Sequence, residues 1–250
     1  MIEKTPYIDI EYTNSAELCE RMAEECDTAI IAFSTGKDSI AAWLQMRKYF
    51  KQIIPIYRYA VPGLKFVEDS LKYYEDFFGC HIYRMPHPSL FRKLTYGVFE
   101  PPDRATVLMD RYAIDLNSYT YKTINDIVRR SKGLSDSVYC GVGIRMADSP
   151  MRRVAIKRYG AINHNEKNFY PVYDWKKEDL IKAFDESGVK LPVDYRIWGR
   201  TFDGLNYSFI KPLKEHFPDD YQRCLDWFPL MELEIGRWEG YDKIQRFRSE

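Results

Sequence analysis

The sequence predicts an α/β protein: a parallel sheet with helices on both faces, followed by an aromatic-rich, mainly helical C-terminal extension. Three observations lead there. The short apolar run Thr28–Phe33 gives way at once to a polar loop and then to a segment of helical periodicity, and such a run is the pattern of a strand buried on both faces. The same strand-then-helix alternation recurs downstream, which implies a parallel sheet covered by helices. From Leu191 onward the alternation stops, and prolines and aromatics dominate.

The elements follow in order. Ser15–Cys26 has Ala16, Leu18, Cys19, Met22, Ala23 and Cys26 at helical spacing, with Ser15 near the N-cap. Thr28–Phe33 is the first strand, and Ile40–Phe50 the next helix, carrying Ala41, Ala42, Leu44, Met46 and Tyr49. Ile53–Tyr59 is a second strand and Phe66–Phe78 a helix ended by Gly79. Cys80–Met85 is a third strand, stopped by Pro86 and Pro88. Phe91–Asp103, with Gly97 and two consecutive prolines, reads as an irregular excursion. Thr120–Lys132 is a helix closed by Gly133, and Ser137–Ile144 a further strand. Met151–Tyr159 is a basic helix ended by Gly160, and Trp175–Gly188 another, with Asp174 as candidate N-cap and Glu178 and Asp179 in its first turn. Two regions result: residues 1–190 as the α/β domain and 191–250 as a helical extension packed on it. Right-handed crossovers place all strand-to-helix loops on one edge of the sheet.

Composition narrows the function classes. The 250 residues include 37 acidic and 37 basic side chains, so no general electrostatic attraction to polyanions or membranes operates, and such affinity needs a local cluster. No apolar stretch approaches the length of a membrane span, and Met1–Pro6 lacks the basic and apolar pattern of a signal peptide. The expected location is cytoplasmic. The five cysteines are scattered with no Cys-x-x-Cys pair, which suits reduced thiols better than a disulfide framework. The four histidines show no metal-ligand spacing, so neither a protein-bound metal site nor an iron–sulfur cluster is expected.

The informative loop is Ser34-Thr35-Gly36-Lys37-Asp38-Ser39. It lies between a buried strand and a helix, where backbone N–H groups lack intrahelical partners and the helix dipole favours an anion. Gly36 allows amides to approach phosphate oxygens, Ser34 and Ser39 add hydroxyl donors, and Lys37 adds charge. Asp38 suits either a cap on loop amides or a ligand for a Mg²⁺ that bridges phosphates. The loop is not a Walker A motif: Ile31 stands where its first glycine belongs, and Asp38 stands where Ser or Thr should follow Gly-Lys. Nor is it a GxGxxG turn. An ordinary Gly-Lys turn is the alternative.

The segment resembles the PP-loop, usually Ser-Gly-Gly-Lys-Asp-Ser, with Thr35 in place of one glycine. The resemblance, to the PP-loop superfamily and its PAPS reductase-like family, extends over about residues 25 to 210. It implies a Rossmann-like sheet and a loop that holds the pyrophosphate of ATP or the anion of a sulfonucleotide. A second segment, Gly141-Val-Gly143-Ile-Arg145-Met-Ala-Asp-Ser149-Pro-Met-Arg152-Arg153, is similar to the family's Gly-Ile-Arg…Ser-x-x-Arg stretch. Gly143, Arg145, Ser149 and Arg152 are its candidate ligand contacts, since arginine grips phosphate or sulfate bidentately. Lys157 and Arg158 are equally a solvated basic face, and the run from Arg152 to Arg158 is the candidate for a weak nucleic-acid contact. Tyr59, Tyr195, Trp198 and Tyr207 either stack on a base or fill a core, and the core reading is preferred for each. Tyr170-Pro-Val-Tyr-Asp-Trp175 and Leu191-Pro-Val-Asp-Tyr195 also look like the family pattern.

One departure redirects the chemistry. The family's reductases use a cysteine nucleophile in a C-terminal tail, whereas the last cysteine here is Cys224, beside Leu225 and Trp227 in a helical stretch. Attack on the α-phosphorus of ATP, with Mg²⁺-bound pyrophosphate leaving, is then the expected reaction, a nucleotidyl transfer with Lys37, Asp38 and Arg145 as catalytic candidates. Two alternatives stay open: a PAPS- or APS-binding enzyme that borrows a partner's thiol, and a non-catalytic nucleotide-binding module. The acceptor is not identified, and a homo-oligomer stays open.

Overall fold

The computed structural model describes residues 10–104 and 119–249; the signal-peptide reading of Met1–Pro6 falls outside them. The elements run α1 (Ser15–Glu25), β1 (Thr28–Ala32), α2 (Lys37–Met46), β2 (Gln52–Tyr59), α3 (Lys65–Phe78), β3 (Tyr83–Pro86) and α4 (Pro88–Thr95). They continue with α5 (Tyr121–Ser131), β4 (Cys140–Val142), α6 (Pro150–Tyr159), β5 (Ile162–Asn163), β6 (Asn168–Phe169) and α7 (Lys177–Ser187). Four more helices close the chain: α8 (Val193–Trp198), α9 (Tyr207–His216), α10 (Pro218–Trp227) and α11 (Glu232–Ser249). The strands form one mostly parallel sheet in the order β3-β2-β1-β4-β6-β5 with helices around it, the predicted α/β class.

The chain separates into two compact units. The first comprises Met1–Arg58, Gly79–Arg84 and Tyr121–Leu191; the second comprises Tyr59–Phe78, Met85–Thr120 and Pro192–Glu250. In the first, β1 is buried through Ala29, Ile30 and Ile31, and α2 is buried along its length from Ser39 to Met46. α2 packs against α1, α7, β1 and β4, and Phe33 meets Trp43 edge-on at 4.9 Å between ring centroids. In the second, Phe66 stacks on Phe217 at 4.8 Å, with Trp198 and Phe202 each 5.6 Å away. Trp198 is half-buried in this aromatic cluster, and Asp220 caps α3 by accepting the Lys65 and Phe66 amides at 2.5 and 3.1 Å.

Local chemistry moved several boundaries. α2 starts at Lys37 rather than Ile40, so Lys37, Asp38 and Ser39 form its first turn. The third and fourth strands are shorter than their apolar runs, at four and three residues. Pro88 opens α4 instead of merely stopping β3, because proline fits the first helical position and His87 Nδ1 accepts the Ser89 amide at 3.0 Å. α4 thus reaches into the stretch read as irregular. Asn14, not Ser15, caps α1. Asp174 does not cap α7, which begins after Lys176 with Asp179 accepting the Lys176 amide at 2.7 Å. Asp174 instead accepts the Ser15 amide of α1 at 3.1 Å. The β5–β6 hairpin was not expected, since two-residue strands leave no periodicity to read.

Candidate functional site

β1 and β4 are parallel, with Ala32 opposite Val142. The residues that follow each strand therefore leave the sheet at the same edge, and this register brings Ser34–Ser39 to Gly143–Arg152. The approach is close. A Cβ on Gly143 would lie 2.5 Å from the Asp38 carbonyl and 2.7 Å from the Ser39 nitrogen, so only glycine lets the β4 loop lie on the first turn of α2.

The loop is internally ordered. Ser39 Oγ donates to the Gly36 carbonyl at 2.8 Å and accepts from the Ser34 amide at 3.2 Å. The Ser34 hydroxyl donates to Ser39 Oγ at 3.2 Å. Ser39 is buried and Ser34 is exposed, so Ser39 shapes the loop and Ser34 faces outward. Gly36 was expected to carry the unusual backbone, yet it is extended at φ −72° and serves as the N-cap of α2. The left-handed residue is Thr35, at φ 60°, the position where the resembling loops carry glycine. Its hydroxyl donates to the Ser34 carbonyl at 2.6 Å. The turn directs the start of α2, whose first amides have no intrahelical acceptor, toward the sheet edge.

Charge is arranged as a chain. Asp38 Oδ2 lies 3.0 Å from Lys37 Nζ, and Asp38 Oδ1 accepts from Arg145 Nε at 2.7 Å. Arg145 also donates to Asp148 Oδ1 at 2.7 Å and to the Trp175 carbonyl at 3.3 Å. Asp148 Oδ2 in turn accepts from Arg152 at 2.6 Å. Arg145 has only 6% of its side chain exposed, whereas Lys37 and Arg152 have 44% and 47%. Ser149 caps α6 by accepting the Arg152 amide at 3.2 Å. Two helix N-termini, those of α2 and α6, are thus linked through Asp38–Arg145–Asp148.

All the predicted site residues, Ser34, Thr35, Gly36, Lys37, Asp38, Ser39, Gly143, Arg145, Ser149 and Arg152, belong to this one edge of the first unit. Asp148 was missed. Its signal was present, a carboxylate three residues after one arginine and four before another at a helix start, where it offers one oxygen to each. Among the described residues the two Asp38 oxygens bond to Lys37 and Arg145 rather than to a loop amide, which suits holding the loops together. Among the described residues there is no group of three metal-ligating side chains. Asp38, the carboxylate expected to meet a phosphate-borne Mg²⁺, has its oxygens on Lys37 and Arg145.

The cysteines show where thiol chemistry is disfavoured. Cys19, Cys140 and Cys224 are buried, and burial raises all three thiols, Cys224 to about 12. Among the described residues no helix is long and apolar enough to cross a membrane.

No family model and no curated protein matches the sequence. Solved structures similar to it include the U34-tRNA thiolase NcsA from Methanococcus maripaludis, with 12% identity and a TM-score of 0.44, covering 87% of this chain and 79% of that one. Another is the NH3-dependent NAD synthetase from Campylobacter jejuni, with 10% identity and a TM-score of 0.44, covering 89% and 91%. A third is a predicted subunit of tRNA methyltransferase from Methanocaldococcus jannaschii, with 18% identity and a TM-score of 0.34, covering 78% and 92%. Likenesses this loose assign no activity.

Proposed function

We propose that this chain is a PP-loop protein of PAPS reductase-like type that binds an adenine nucleotide and acts on ATP at the α-phosphate. One observation carries the reading: the Ser34–Ser39 loop leaves a buried parallel strand, turns left-handed at Thr35 and presents the N-terminus of α2 at the edge where the β4 loop arrives. That geometry favours an anion with several oxygens. Ser34, the first amides of α2 and Lys37 are the pyrophosphate contacts. Arg152 and the capped start of α6 border the same edge.

In the reaction an acceptor nucleophile forms a bond to the α-phosphorus, and the bond to the bridging oxygen of pyrophosphate breaks. The negative charge that builds on the leaving pyrophosphate meets Lys37 and the helix dipole, so catalysis is positioning and electrostatic stabilisation. Arg145 and Asp38 are positioning residues in this account, because their charged groups are spent on each other, on Asp148 and on Lys37. Mg²⁺ enters as part of the nucleotide substrate.

ATP labelled at the α- or γ-phosphate tests the reaction. The proposal expects the γ-label in pyrophosphate and the α-label in AMP or an adenylylated product. Release of the γ-label as orthophosphate would place cleavage at the wrong bond and contradict it.

A further inference from the structure

We infer that α6 and the cleft beside it form a binding site for single-stranded nucleic acid. Acting as the nucleotide site's acceptor rests on the function proposed above, but binding does not. α6 is a ten-residue helix with one buried side chain, Ile156. Met151 and Val154 are exposed at 79% and 62%, and Tyr159 at 70%. From Ser149 to Asn165 the sequence has four cations, Arg152, Arg153, Lys157 and Arg158, and no anion, in a chain whose overall charge is balanced.

Arg152 pairs with Asp148, whereas Arg153, Lys157 and Arg158 make no salt bridge among the described residues, and Arg158 lies over the Tyr159 ring at 5.2 Å. Arg153 and Lys157 are one turn apart on the same helix face, an arrangement that repels and costs stability. A bound polyanion removes that cost.

The cleft supplies what a simple basic face lacks. It has a volume of about 490 Å³ and lies between α6 and the β5–β6 hairpin, lined by Ala155, Ile156, Tyr159, Asn163, His164 and Tyr170 among others. The His164 ring is held by Tyr139, with 2.9 Å between Nδ1 and the phenol oxygen. Asn163 Oδ1 accepts the Glu166 amide at 3.1 Å, which fixes the carboxamide. Two tyrosines, an imidazole and a fixed amide in one cleft suit an unpaired base: a ring to stack on and polar groups to meet its edge. Ala155, Ile156 and Tyr159 share one side of α6, with Arg152 a turn nearer its start, so phosphates flanking the base would run along the helix. α6, roughly 15 Å long, begins at the linked loops of the nucleotide site.

The test is fluorescence anisotropy of labelled RNA and DNA strands of about twelve nucleotides, with the full chain at about 50 and 200 mM salt. Both strands share one mixed sequence, and their relative affinity identifies the natural source. The wild type is expected to bind at least one. Arg153→Glu with Lys157→Glu, both solvent-exposed, weakens binding at least ~tenfold and lowers the salt slope by about 1.4. Tyr159→Ala weakens strand binding about fivefold or more but leaves heparin binding in place. Failure of both strands to bind at the lower salt overturns the inference, as does an unchanged affinity in the double variant. Competition by polyglutamate as effective as that by unlabelled strand assigns the surface to an acidic protein instead. Lys37→Ala should lose ATP but keep the strand, so failure of the nucleotide loop and failure of this site are read separately.

Discussion

Arg145 and Asp38, 107 residues apart in sequence, meet at 2.7 Å and tie the loop after β4 to the first turn of α2. Both side chains are shielded, Arg145 the more so, and Asp148 completes the pair. Arg145→Ala would leave two partly buried carboxylates without their shared cation, a loss of about 3 kcal/mol in stability. Arg145→Lys keeps the charge but not the planar fork, so a smaller loss is expected. Chemical denaturation of the three proteins checks the order; equal stability for all of them would show that the link is not structural.

Gly143 is the tightest point of the site. With a Cβ only 2.5 Å from the Asp38 carbonyl, Gly143→Ala must push the β4 loop off α2, at about 1–3 kcal/mol. Nucleotide affinity should fall with stability, because the β4 loop that moves lies on the start of α2. Melting curves and titration of this variant against Gly204→Ala, where the nearest atom to a Cβ is 3.6 Å away, separate the local clash from a general intolerance of alanine.

Thr35 occupies a left-handed backbone that costs a β-branched residue roughly 1–2 kcal/mol, offset in part by the entropy glycine would lose. Thr35→Gly should therefore fold with stability within about 1 kcal/mol of wild type and keep nucleotide affinity. A large loss of affinity measured by calorimetry would make the Thr35 hydroxyl a direct ligand contact.

Asp194 offers a pH test in the second unit. It is buried and accepts the Phe202 amide at 2.9 Å, and burial raises its carboxyl above the ordinary range. Its stabilising contribution is complete below the unfolded value, about 3.9, and is lost as pH rises through the raised folded value. Asp194→Asn keeps an acceptor and removes the ionisation, so its melting temperature should gain on wild type as pH rises above about 4. A constant difference across that range would mean that ionising Asp194 costs nothing.

Thiol accessibility bears on the sulfonucleotide alternative. Cys19, Cys140 and Cys224 are buried, with Cys224 at about 12. Iodoacetamide at about pH 8 should label only Cys26 and Cys80 in the native protein, and all five after unfolding. Rapid native labelling of Cys224 would restore a reactive thiol to the account.

Much of this was legible in the sequence because it is local. The run Thr28–Phe33, the loop after it and the helix beyond are neighbours in the chain, and α2 is buried along most of its length as its small and apolar residues imply. What was not legible depends on partners far away. Asp38 looked like a cap or a metal ligand because Arg145 comes within reach only through the register of β1 with β4. Asp174 sits next to the start of α7 yet accepts the Ser15 amide at the start of α1, a choice made by tertiary packing. The left-handed turn fell on Thr35 rather than Gly36, against the residue preference that sequence reading relies on.

Calorimetry with ATP, AMP, APS and PAPS on wild type and Lys37→Ala decides whether Ser34–Ser39 holds nucleotide phosphates. A nucleotide is expected to bind, ATP more tightly than AMP, and Lys37→Ala to weaken binding at least ~tenfold, as loss of a charge-assisted contact requires. Failure of every nucleotide to bind, or equal binding by Lys37→Ala, would contradict phosphate binding by this loop.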